Sequence, residues 1–419
     1  MNSKGLVHTY CSFISYIGTR FRGSQRQLGR RTDMSEVPEE AKMTIQQALD
    51  DSLLHIVPMP CYTAARRILK LDDDDQAGDS PDETGDVRPK TRFIFDENDK
   101  YGYRTYVTSR TDTGVCSTMN CYLFDLIHPT DRLYKPDSLT MMMNKHLIQN
   151  KLDLLVNKTI AFNKPSINFE VVKEKQYCYR LAFLRPDLLP KNHLTQLTFL
   201  SVDPNGNCRT DHTSRLSSDP DPVQVHNRHE SLNAYALYSF LPINELNRVL
   251  PLNSKYLDYE SGRLVEKTIS LERMKRAAEL FCGTFDFTTF STRPGRSNSI
   301  KVRSPVKTLT RFEFKERNVS DDSEFDAKYQ NFKFVDVYIK ADGFLYNQIR
   351  RMLGCLLAHG FGLIGVDDIQ FMLNYPEHKN FHPKCVVMPA TGLYLNSVLF
   401  KDEVQEQLEE DEIILEDKA

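Results

Sequence analysis

Asp112 stands in the polar run Ser109-Arg110-Thr111-Asp112-Thr113-Gly114, between two stretches whose composition predicts strands. A carboxylate on a tight loop over a rigid sheet can be held against a substrate as a nucleophile or base. Asp and Gly in a turn also make an ordinary Asx-turn, and these six residues by themselves permit both readings. Arg350 and Arg351 fall in the first turns of an otherwise apolar predicted helix. An Arg so placed either snorkels to water or pairs with an acid. Snorkelling suits Arg351, whereas for Arg350 a carboxylate partner is expected, with Asp112 the candidate. Tyr177 and Tyr179 alternate along a predicted strand and so share one face. They are either core aromatics or a platform on which a base stacks. His378 and His382 are spaced like a helical metal pair, but Pro376 and Pro383 bracket them. No metal site is expected there.

Those residues need elements to position them. Phe13 to Tyr16 reads as a short strand. Ala41, Ile45, Ala48, Leu49, Leu53 and Ile56 recur on one helical face, predicting a helix over 40–57. Tyr101 to Ser109 and Met119 to Leu126 read as strands flanking the Asp112 loop. Residues 138–149 read as a helix and Tyr177 to Leu184 as a strand. Ser270 has the character of an N-cap, Leu271, Met274, Ala277, Ala278 and Phe281 form the stripe behind it, and Gly283 is expected to end that helix at C′. Strands are expected at 306–314, 332–340 and Leu393 to Phe400, with a helix from Leu345 to His359. Strands and helices mix without a βαβ alternation, which favours α+β with a mostly antiparallel sheet. The phosphate-binding run G-x-x-x-x-G-K-[ST] does not occur, so nucleotide-binding folds lose a main support.

The chain's 419 residues suit two domains, or a duplicated core with insertions. No window approaches the roughly 18 apolar residues of a membrane span, and Met1 to Ser12 lacks the apolar run of a secretory signal. Nine cysteines without a CxxC pair fit a reducing intracellular compartment better than a disulfide framework. The net charge of −3 conceals an asymmetry. Leu71 to Val87 carries eight acids and no base, and Asp402 to Ala419 nine acids and one Lys. With those set aside, 53 basic residues face 40 acidic ones. That balance suggests a polyanionic partner, nucleic acid first, although a solvated mixed surface has the same bulk charge. Arg20, Arg22, Arg26, Arg30 and Arg31 cluster near the start, where an import signal is the other reading. A second basic stretch runs from Arg293 to Arg317. The acidic, aperiodic stretch at about 71–100 is expected to be a disordered insertion.

Six segments, taken together, resemble the TruA-type tRNA pseudouridine synthases. Ser15 to Thr19 with Phe21 and Gly23-Ser24-Gln25 is similar to the family's opening strand and turn. Ser109 to Val115 is similar to its catalytic loop, usually G-R-T-D-x-G-V-H. Tyr177-Cys178-Tyr179 resembles its aromatic strand. Leu271 to Phe290, with Asp286-Phe287-Thr288-Thr289-Phe290, resembles its D-F-T-x-F segment. Ala341 to Gly354 and Pro389 to Leu395 resemble its closing motifs. The family has Gly at Ser109, Trp at Ser24, His at Cys116, and F-x-A-R where this chain reads Ser166 to Glu170.

The resemblance implies two ferredoxin-like halves joined into one central sheet, with a basic RNA-binding cleft between them. It implies an N-terminal catalytic half at 10–185, an irregular insertion at 186–264, a C-terminal half at 265–400 and an acidic tail at 401–419. It implies isomerisation of uridine to pseudouridine in tRNA, with no cofactor and no metal. Asp112 would be the catalytic carboxylate, Arg350 its partner and Tyr177 the stacking ring, while Arg110, Leu393 and Gln25 would bind substrate. An RNA-binding protein on the same fold, with weak or no catalysis, is the other reading, and the altered motif flanks speak for it. The compartment, mitochondrial or cytoplasmic, is left open, as are the oligomeric state and the uridine modified.

Overall fold

The computed structural model describes residues 7–25, 43–56, 105–127, 134–162, 172–184, 201–202, 208–209, 250–251, 253–258, 263–292, 304–317 and 332–401. The acidic stretch at 71–100, the basic residues from Arg293 to Arg303 and the acidic tail beyond Lys401 lie outside them.

One large, mostly antiparallel sheet organises the chain. Its strands are β1 (Val7–Tyr16), β2 (Thr105–Val107), β3 (Cys116–Ile127), β4 (Leu154–Phe162) and β5 (Val172–Leu184), then β8 (Leu250–Pro251), β11 (Gly283–Asp286), β12 (Val306–Arg317), β13 (Phe332–Ala341) and β14 (Leu393–Phe400). The spatial order is β11-β12-β13-β5-β14-β3-β1-β4, with β2 added to β3 and β8 to β5. Two short ladders stand apart from it: β6 (Ser201–Val202) with β7 (Cys208–Arg209), and β9 (Asn253–Asp258) with β10 (Arg263–Thr268). The second ladder falls where irregular chain was expected. The last strand, β14, runs antiparallel to β5 and parallel to β3. It is inserted between β5 and β3, while β13 pairs with the other edge of β5.

Among the described residues five α-helices pack against this sheet: α1 (Ile45–Leu54), α2 (Pro136–Gln149), α3 (Leu271–Ala278), α4 (Gln348–Gly360) and α5 (Val366–Asn374). Thr44 starts α1 by accepting a bond from Gln47 N at 3.2 Å, so the helix begins later than its apolar stripe suggested. Ile45, Ala48, Leu49 and Leu53 of α1 pack with Leu139, Met143 and Leu147 of α2 on Tyr10, Ile14, Tyr122 and Phe124. In a second cluster, Met274, Ala277 and Ala278 of α3 join Met352, Leu353, Leu356 and Leu357 of α4 over Tyr177, Tyr179, Val337 and Ile339. Burying such side chains is worth ~1.5–3 kcal/mol each before entropy is charged. Ser270 caps α3 as expected, its hydroxyl accepting from Arg273 N at 3.2 Å. Gly283 does not sit at the C′ position of α3. The last turn tightens to a 3-10 form at Glu279–Phe281, and Gly283, with φ +122°, opens β11 instead. Several elements were not anticipated, among them β4, β11 and α5. In β4 the buried positions follow an imperfect alternation, and α5 is short. Among the described residues no helix is long and apolar enough to cross a membrane.

Candidate active site around the Asp112 loop

The loop carrying Asp112 is fixed from below by buried polar groups. Ser24 Oγ accepts a bond from Thr111 N at 2.7 Å and donates to Ser109 O at 3.3 Å, and Ser24 N donates to Thr111 O at 3.0 Å. Asn120, wholly buried on β3, donates from Nδ2 to Ser109 O at 2.9 Å and to the Tyr16 hydroxyl at 3.1 Å. Its Oδ1 accepts from Ser109 N at 3.3 Å. Tyr16 Oη in turn shares a 2.8 Å bond with Thr111 Oγ1. Beyond Asp112 the chain turns back, with Val115 N on Asp112 O at 3.1 Å and Gly114 at φ +83°. That sign of φ at the third residue of a turn favours Gly. Gly18 allows the strand end to approach, since a Cβ there would lie 1.9 Å from Val115 O.

Asp112 is thus half-buried on a rigid loop. Burial pushes its carboxyl up from 3.8 to about 6, and the nearby Arg350 charge acts in the opposite sense. Arg350 does not form a direct ion pair with it. The guanidinium donates from Nε to Met388 O, and from Nη1 to Asn347 Oδ1 at 2.7 Å. Its position follows from α4 and from the segment at 385–389, which lies against that helix. Met388 N donates to Arg350 O at 3.1 Å, and a Cβ on Gly354 would come within 1.7 Å of Val386 O.

Tyr177 completes the group. It is buried on β5, with its hydroxyl 3.2 Å from Ser109 Oγ and donating to Arg110 O at 3.4 Å. Its ring meets Phe344 edge-on, with centroids 5.2 Å apart. Burial pushes its phenol up to about 12; the Ser109 bond opposes that, and the Asp112 charge adds to it. Leu393 and Leu395 of β14 register opposite Tyr179 and Tyr177, and Leu393 is buried in the same apolar cluster. Tyr179 is a core aromatic, its hydroxyl donating to Pro389 O at 2.9 Å. Arg110 and Gln25 are both exposed. The structure therefore brings Asp112, Arg350, Tyr177 and Leu393 together, and leaves Arg110 and Gln25 at the surface.

Among the described residues no group of three metal-ligating side chains occurs. His378 lies in a 3-10 turn, with Nδ1 2.9 Å from Ser291 O. The two basic stretches are only partly described. Arg20 pairs with Asp153, and Arg311 with Glu313.

Comparison with known proteins places this geometry. A family profile described as tRNA pseudouridine synthase matches residues 277–401. The chain is 30% identical over 190 residues to tRNA pseudouridine synthase A of Clostridium botulinum (strain Alaska E43 / Type E3), covering 45% of this chain and 66% of that protein. It is 33% identical over 152 residues to the enzyme of the same name from Brucella anthropi, covering 36% of this chain and 51% of that one. The chain is similar to the TruA-type tRNA pseudouridine synthases. It spans about half to two thirds of the length of these curated relatives. The family profile covers Arg350 and Leu393 but stops short of Asp112 and Tyr177.

Two departures from the family's loop acquire a structural account. Ser109 supplies the hydroxyl that meets Tyr177. Cys116 is buried and its Sγ accepts from Gly18 N at 3.3 Å. The supporting residues Ser24, Asn120 and Asn347 were not singled out in the sequence. Ser24 and Asn120 look like ordinary polar residues there, and Asn347 had one available signal, an Asn just ahead of a helix.

Proposed function

We propose that this protein isomerises uridine to pseudouridine in tRNA, using the Asp112 carboxylate. The observation that carries this is the convergence of Asp112, Arg350 and Tyr177, from three distant parts of the chain, beside the joining strand β14. The reaction breaks the N1–C1′ bond of a uridine, turns the base and forms a C5–C1′ bond. Asp112 either attacks C1′ and is later displaced, or removes a proton from the sugar; in both routes it must be ionised. C5 loses its hydrogen and N1 gains one, so no oxidant, reductant or metal is consumed. Arg350 supplies the positive field that favours the carboxylate. Tyr177 and Leu393 form the apolar wall against which the extruded uracil rests, and Arg110 and Gln25 contact the RNA around it.

The same reading divides the chain into two ferredoxin-like halves, 10–185 and 265–400, with an RNA-binding cleft between them. What supports it is the order of the sheet, in which β14 pairs with β5 and β3, and β13 with β5, so strands of both segments share one sheet. The test is incubation of unmodified tRNA transcripts with the protein, digestion to nucleosides and chromatography. Pseudouridine should accumulate with wild type and be absent with Asp112→Ala. Binding of the transcripts with no pseudouridine formed would favour the RNA-binding reading.

A further inference from the structure

We propose that Asn347 is a positioning residue of this reaction, holding the Arg350 guanidinium in place beside Asp112 from a left-handed backbone position. The inference rests on the pseudouridine synthase reading and names a part of the site that the motifs do not assign. Asn347 has φ +62° and ψ 7°; among the described residues only it and Lys151 combine a side chain with positive φ. A Cβ is penalised there, Asn less than most residues, and Gly not at all. A turn that needed only this backbone would be served best by Gly, so the amide itself has to account for Asn.

Its position at the head of α4 suggests a capping role, but the side chain makes no cap bond. It reaches sideways instead. Oδ1 accepts from Arg350 Nη1 at 2.7 Å, and Nδ2 donates to Thr292 Oγ1 at 3.0 Å. Thr292 is anchored in turn, its N donating to Tyr346 O at 3.1 Å. The amide is therefore held at both ends, with its oxygen aimed at the guanidinium. Met388 O takes Nε. Arg350 is thereby gripped by two acceptors from two segments, and neither grip uses the Asp112 carboxylate. Among the described residues Arg350 makes no hydrogen bond to the Asp112 carboxylate, so it can supply its field without occupying a carboxylate oxygen. Remove the Asn347 acceptor, and a mostly buried guanidinium keeps one fixed bond and can pivot about it.

The test uses the full chain and tritium release from C5-labelled uridine in tRNA transcripts at pH 8, where carboxylates are ionised. Asn347→Gly keeps the backbone conformation and removes the amide. We expect kcat to fall by about tenfold or more, as small misplacements at reacting centres do. KM and transcript affinity should stay within about twofold of wild type, and the melting temperature should change little. Asn347→Asp keeps an acceptor oxygen and tolerates the same backbone, and should stay within about threefold of wild type. Wild-type kcat in Asn347→Gly, or equal slowing in both variants, would overturn the proposal. If wild type itself releases no tritium, the underlying reaction falls, and this inference with it.

Discussion

Asp112 is held ready by opposing influences: burial raises its carboxyl to about 6, and Arg350 restrains the rise. Because the ionised form is required, turnover should fall as pH drops through about 6, close to tenfold per unit below it. A flat pH-rate profile from 5 to 8 would contradict that assignment. The same shift predicts a stability effect. A carboxyl whose folded pKa lies above its unfolded value contributes stability that is fully present below about 4 and lost as pH rises through about 6. Asp112→Asn should therefore melt higher than wild type at pH 7–8, by on the order of 1 kcal/mol, and no higher at pH 4. Thermal denaturation at the two pH values checks the sign. At this scale the sequence was informative where a residue belonged to a recognisable run: Asp112, Tyr177 and Arg350 were all legible in their motifs. It was silent on how Arg350 is held. Nothing in the run from Leu345 to Arg350 reveals that Asn347 turns its amide sideways, since that depends on Thr292, far away in the chain.

Elements hold the site through close approaches and buried polar bonds. Gly354 lets the segment at 385–389 lie directly on α4, with a virtual Cβ only 1.7 Å from Val386 O. The same segment offers Met388 O to Arg350 and Pro389 O to Tyr179. Gly354→Ala should push that segment away, cost about 1–3 kcal/mol as overpacking does, and lower kcat as well. A variant that folds with full activity would show that the segment does not set the position of Arg350. On the other side, Asn120→Ala strips partners from the buried Ser109 O and Tyr16 hydroxyl. It should destabilise by about 1–3 kcal/mol in denaturant melts. Helix α1, the N-cap at Ser270 and strands β12 to β14 followed from periodicity and cap chemistry. Gly283 was misread because a Gly after an apolar stripe is equally apt to end a helix or to begin a strand at positive φ. Strand β4 went unseen because its alternation is imperfect.

At the scale of the whole molecule, β14 carries the chain's C-terminal segment back into the middle of the sheet, between β5 and β3. The proposed site of Asp112, Arg350 and Tyr177 lies beside that junction. Sequence periodicity has no access to strand order, so α+β was readable and the position of β14 was not. Near the junction, Arg180 and Asp336 make a buried bidentate pair, both bonds 2.6 Å, on neighbouring strands. Asp336→Ala would leave the guanidinium buried and unmatched, and should cost about 3–5 kcal/mol. An unchanged melting temperature would mean that water reaches the pair. The central claim is that Asp112 performs uridine isomerisation in tRNA, and its most direct test is release of tritium from C5-labelled uridine in unmodified transcripts. C5 loses its hydrogen when it becomes the glycosidic carbon. The account predicts release by wild type, none by Asp112→Ala, and transcript binding by both. Equal release by both proteins, or none by either while both bind the transcripts, would contradict it.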